Sequence, residues 1–107
     1  MKMIDLNELC KVTLANATQR QNNGGNIKTD TLSVLKHCAT EVVEATEAYT
    51  NSTVRYGSIN QQFADELSDI LCCVLIIAGK EEIDIEKALT SCIEKNRKRA
   101  DKTGDKL

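Results

Sequence analysis

The chain has 107 residues, one domain's length, and its 14 Lys and Arg against 16 Asp and Glu leave a formal net charge of −2. That balance excludes the broad basic surface needed to hold a nucleic-acid polymer, and 41% hydrophobic with 28% charged residues excludes wholesale disorder. With no proline and only five glycines there is little to interrupt a helix, so composition points to an all-α fold forming a single domain over residues 1–107.

The first predicted helix runs from about Asp5 to Arg20, with Leu6, Leu9, Cys10, Thr13 and Ala17 on one face. Asn22-Asn23-Gly24-Gly25-Asn26 ends it. The second starts at Thr29 or Asp30, either of which is a good N-cap, and runs to about Thr50 with Leu32, Leu35, Ala39, Val42, Val43 and Thr46 as its apolar stripe. Residues 51–60 then read as a polar connection.

The third helix, about Gln61 to Ala78 with Gly79 as its stop, is apolar nearly all round beyond Asp69, since Ile70 to Ile77 leave no polar face. Such a helix must be covered on every side. Three companion helices in one protomer are too few, which predicts a four-helix protomer assembled into a homodimer or homotetramer. The run from Ile70 to Ala78 is only about half of a membrane span, so no membrane is involved. The fourth helix starts at the N-cap Asp84 and reaches about Ala100 on an inward stripe of Ile85, Ala88, Leu89, Cys92 and Ile93. Lys95, Arg97, Lys98, Arg99, Lys102 and Lys106 make this end of an acidic chain locally cationic.

Cysteines 10, 38, 72, 73 and 92 are odd in number and lack metal-type spacing, and no secretory signal stands at the N-terminus. They predict reduced thiols in the cytoplasm, packed as small core residues.

Chemistry enters with the acids. On a helix turning about 100° per residue, Glu44 and His37 fall within roughly 60° of Glu41, and Asp69 falls within the same angle of Glu66. The apolar stripe of the second helix lies to one side, so Glu41 and Glu44 should flank the core, whereas Glu66 and Asp69 open onto a wholly apolar face. Carboxylates gathered in such surroundings repel, by roughly 4 kcal/mol for two charges about 4 Å apart at an effective dielectric near 20. A divalent cation removes that cost, and hard oxygen ligands in this number suit Mg²⁺ or Mn²⁺.

Glu41-x-x-Glu44, then 21 residues, then Glu66-x-x-Asp69 leading into an apolar helix, with Lys95-Asn96-x-x-Arg99 near the end, resembles the signature of the MazG-like all-α nucleotide pyrophosphohydrolase superfamily over about residues 30–100. The resemblance implies hydrolysis of a nucleoside triphosphate to the monophosphate and pyrophosphate. It implies a magnesium cage of Glu41, Glu44, Glu66 and Asp69, with Glu41 or Glu44 as general base. Lys95, Asn96 and Arg99 would contact substrate phosphates, and His37 would contact substrate as well. Asn96 and Arg99 extend the stripe begun by Ile85, while Arg97 points away. Many members carry a glutamate where this chain has Thr40, and many line the base pocket with tryptophan, leaving here only Tyr49, Tyr56 and Phe63 to stack on a base. Two neighbouring readings share the acid pattern: a phosphoribosyl-ATP pyrophosphohydrolase, and a non-catalytic helical oligomerisation or regulatory module.

Overall fold

A computed structural model describes residues 4–50 and 61–101. Four helices and no strands are found among them: α1 (Leu6–Asn22), α2 (Thr31–Thr50), α3 (Gln61–Lys80) and α4 (Ile85–Ala100). Side-chain caps set three of the starts. The Asp5, Asp30 and Asp84 carboxylates accept from the backbone N–H of Glu8, Ser33 and Lys87, each at 3.1 Å, satisfying donors that the first turn leaves unpaired. The connection 51–60, with Tyr56, lies outside the described residues.

The most apolar helix is central. α3 packs on α1 along one flank and on α2 along the other. It runs antiparallel to both: Gly79 meets the Cys10 carbonyl, the Thr31 hydroxyl donates to Glu81, and Tyr49 meets Phe63 with ring centroids 5.3 Å apart. Gly79 does not stop α3 as its sequence suggests. The glycine lies within the helix at a close approach, where an added Cβ would stand 2.8 Å from the Cys10 carbonyl oxygen. The helix runs on to Lys80 and is closed at Glu82, whose φ of 55° lets the Ile83 N–H return to the Ala78 carbonyl at 2.9 Å.

The buried set, Cys10, Ala17, Val34, Ala45, Ala48, Cys73, Leu75 and Ala78, is mostly small. Small side chains let helices approach closely, and this overturns the expected stripe on α2. Its inward face is Val34, Cys38, Glu41, Ala45 and Ala48, while Leu32, Leu35, Val42 and Val43 are 47–61% exposed. Periodicity located the larger apolar face; the protomer buries the smaller one. The thiols also divide, for Cys10 and Cys73 are buried, Cys38 is half-buried, and Cys72 and Cys92 are exposed.

The expected inward stripe on α4 is corrected as well. No residue of α4 is buried, and Leu89 and Ile93 are 44% and 60% exposed. Its principal contact is with α1, through a clasp of N-termini. Asn7 donates to Asp84 at 3.0 Å and accepts from the N–H groups of Ile85 and Glu86, while Glu86 accepts from the Leu6 N–H at 2.8 Å. Each helix thus caps the other's first turn. Beyond that anchor, α4 leaves its apolar face uncovered. No helix among the described residues is long and apolar enough to cross a membrane.

Candidate metal and phosphate site

Midway along α2, Glu41 points into the seam with α3 and is only 7% exposed. Glu66 and Asp69, one turn apart on α3, face it. One carboxylate oxygen from each of the three lies within 4.8 Å of the others. Glu44, the fourth acid, is exposed at the rim, close enough to hydrogen-bond with Glu41 and to act on its charge. The α2 stripe therefore carries Glu41 inward, where the sequence pattern puts it at the core's flank.

The electrostatics of this group are unfavourable as they stand. The Oε2 atoms of Glu41 and Glu66 are both shielded from water and reached by no donor. Burial pushes the Glu41 carboxyl up to about 7, reinforced by the adjoining Glu66 carboxyl and by the charges of Glu44 and Asp69. Near neutrality Glu41 is thus poised between acid and carboxylate.

A hard divalent cation fits this donor set. Three carboxylate oxygens gathered within 4.8 Å of one another are near enough to converge on one small cation. Two orphaned buried oxygens would gain a partner, and the repulsion that raises the Glu41 carboxyl would disappear.

His37 stands apart from the remaining sequence expectations. Its Nε2 lies 2.9 Å from Glu41 Oε1, one turn along α2, although most of the ring is exposed. The ring holds the acid directly, a role readable in the i, i+4 spacing alone. Thr40, where a further acid might stand, turns its hydroxyl back to the Lys36 carbonyl at 3.4 Å.

Beneath the acids, Cys38 approaches Cys73 closely enough for a thiol hydrogen bond, and burial pushes the Cys73 thiol up to about 11. These thiols form an inert floor. Their positions, three residues before Glu41 and four after Asp69, mark them as neighbours once the antiparallel pairing of α2 and α3 is known. Towards the other end of this seam, Val42, Ala45, Thr46, Tyr49, Phe63, Leu67 and Ile70 line an open apolar cleft of about 420 Å³. Tyr49 and Phe63 contact each other there at a 56° interplanar angle.

Asn96 and Arg99 are half-buried, whereas Lys95, Arg97 and Lys98 are exposed. Arg97 is bound to Glu94 at 2.8–3.2 Å and reaches Asp101 at 3.5 Å, so its charge is used within α4. Asn96 donates weakly to Cys92 Sγ at 3.8 Å, and its Oδ1 is shielded with no donor. Among the described residues, neither Lys95 nor Asn96 bonds to any of the four acids.

Compared with known proteins, residues 29–103 match the family model described as the MazG nucleotide pyrophosphohydrolase domain. No curated protein and no solved structure matches the chain. The matched span contains α2, α3 and α4, and with them every residue of the site.

Proposed function

We propose, since this chain belongs to the MazG nucleotide pyrophosphohydrolase family, that it hydrolyses a ribo- or deoxyribonucleoside triphosphate to the monophosphate and pyrophosphate. Its role is clean-up of the cytoplasmic nucleotide pool, and it acts as a homo-oligomer. The observation that carries this reading is the buried carboxylate group, whose orphaned Glu41 and Glu66 oxygens ask for a cation. Glu41, Glu66 and Asp69, with Glu44 at the rim, would hold Mg²⁺ or Mn²⁺, which would supply positive charge for the triphosphate and lower the pKa of a bound water.

The residues of the chain do the rest. Water attacks phosphorus in line, a new P–O bond forms, the bridging bond to the pyrophosphate group breaks, and pyrophosphate leaves. The water's proton passes to Glu41 or Glu44. His37 keeps the Glu41 carboxylate oriented. Lys95, Asn96 and Arg99 bind phosphate oxygens, Arg99 with the forked geometry that a guanidinium offers.

Exposed apolar side chains support the self-association: Leu35, Val43, Leu71 and Ile93 are each more than half exposed, and apolar surface gathered on helix faces marks interaction sites. Measuring pyrophosphate release from a panel of nucleotides, with and without Mg²⁺, tests the activity. Phosphoribosyl-ATP belongs in that panel. Absence of turnover on every substrate would favour a non-catalytic helical module.

A further inference from the structure

We infer that Asn23 is a site of spontaneous covalent modification, an intramolecular deamidation whose rate is set by how tightly the C-terminal cap of α1 stays closed. It stands apart from the carboxylate group on α2 and α3 and does not depend on the hydrolase reading.

The dipeptide provides the chemistry. Asn23 is followed by Gly24, a pairing made by none of the chain's other asparagines. The backbone nitrogen of Gly24 attacks Cγ of the Asn23 amide, a C–N bond forms, the attacking nitrogen gives up its proton, and the side-chain nitrogen leaves as ammonia. Water then opens the resulting five-membered imide at either carbonyl, giving aspartate or, with one more carbon in the backbone, isoaspartate. No oxidant, metal or enzyme enters. Glycine favours the attack because no Cβ crowds its nitrogen. Asn23, Gly24 and Gly25 are all exposed, and a Cβ built on Gly24 would meet nothing within 4 Å, so water and the new ring both have room.

The fold holds the reaction back. Asn23 is the C-cap of α1, with φ −85° and ψ 12°. At that ψ the Gly24 nitrogen nearly eclipses the backbone nitrogen of Asn23, well away from Cβ, the atom it must come into line with before the ring can close. The same nitrogen is engaged, since the Gly24 N–H donates to the Gln21 carbonyl at 3.1 Å. Its neighbours fix it there: the Asn23 N–H donates to the Gln19 carbonyl at 2.9 Å and the Gly25 N–H to the Arg20 carbonyl at 2.8 Å. Gly24, at φ 85°, carries the chain through the left-handed turn that permits these bonds. Attack therefore requires the last turn of α1 to open, and helix ends are among the parts of a fold that open most readily. Once formed, isoaspartate lengthens the backbone inside this set of hydrogen bonds, and the cap cannot close as before. The loosened turn includes Gln21, whose side chain accepts from the buried Thr29 hydroxyl at 3.0 Å just ahead of α2.

Peptide mapping of the full-length protein, aged at physiological temperature and pH, tests the inference. The peptide containing Asn23 should gain one mass unit, and an isoaspartyl methyltransferase should label it. Conversion should be several-fold faster in the urea-unfolded chain than in the folded one. Gly25→Ala keeps the reactive dipeptide but sets a Cβ 2.7 Å from the Arg20 carbonyl oxygen that its own N–H must reach. Checked for retained helicity, that variant should also convert several-fold faster than wild type. Asn23→Gln, which would have to close a larger ring, should not convert. The isoaspartyl form, separated by its extra negative charge, should melt below the fresh protein. An Asn23 that stays intact in folded and unfolded chains alike overturns the site. Equal rates in the folded, unfolded and Gly25→Ala chains overturn its control by the cap, and an unchanged melting temperature overturns its effect on α1.

Discussion

The His37 ring nitrogen Nε2 stands 2.9 Å from Glu41 Oε1, so one of the two oxygens of the most buried acid is held by a side chain that is itself mostly in solvent. The other oxygen has no partner. The carboxylate is thereby aimed, with its open oxygen towards Glu66 and Asp69. His37→Ala should lower kcat/KM several-fold, because a correctly directed acid becomes one free to turn away. His37→Gln retains a donor at similar reach and should restore most of the loss. Equal defects in both variants would show that the imidazole meets the substrate itself and does not orient Glu41.

Stability without metal should fall as pH rises. Glu41 has its carboxyl raised from 4.5 to about 7 in the folded chain. Below pH 4.5 the group is protonated whether folded or unfolded, and its burial carries no charge penalty. Between 4.5 and 7 the unfolded chain ionises first, so folding becomes progressively less favourable, and above 7 the full penalty applies. In EDTA, the wild-type Tm should therefore drop from pH 5 to pH 8, and Glu41→Gln should show a smaller drop. Added Mg²⁺ should raise the wild-type Tm at pH 8 by binding the folded state. A metal-free Tm that climbs over this range would contradict the assigned burial of Glu41.

Helix limits were legible because Asp5, Asp30 and Asp84 are local signals that act within one turn. The acid constellation was legible for the same reason, since i, i+3 spacing places Glu41 with Glu44 and Glu66 with Asp69 on shared faces. What periodicity could not decide is which of two apolar faces a helix buries at home. On α2 the bulky residues Leu32, Leu35 and Val42 dominate any such pattern, yet close packing against α3 favours Cys38, Ala45 and Ala48, and it takes Glu41 inward with them. The same ambiguity misdirects α4, whose Leu89 and Ile93 read as core although no other helix of the protomer buries them. Gly79 reads as a stop because its use, close approach to the Cys10 carbonyl, depends on a residue nearly seventy positions away.

That approach makes Gly79→Ala a stringent test of the α1–α3 packing. In an isolated helix the change would favour folding by roughly 1 kcal/mol. Here the new Cβ meets backbone at 2.8 Å and the Leu14 Cβ at 3.3 Å, so α1 must move away. The substitution should lower Tm by several degrees. A stabilised variant in thermal denaturation would mean that α1 and α3 do not sit this closely.

The most direct test of the central claim is product analysis with a panel of nucleoside triphosphates, phosphoribosyl-ATP included, comparing wild type with Asp69→Asn and Glu66→Gln. Wild type with Mg²⁺ should yield monophosphate and pyrophosphate in equal amounts from at least one nucleoside triphosphate, EDTA should stop the reaction, and both variants should be inactive although folded. Release of orthophosphate in place of pyrophosphate, or near-normal turnover by either variant, would contradict the claim.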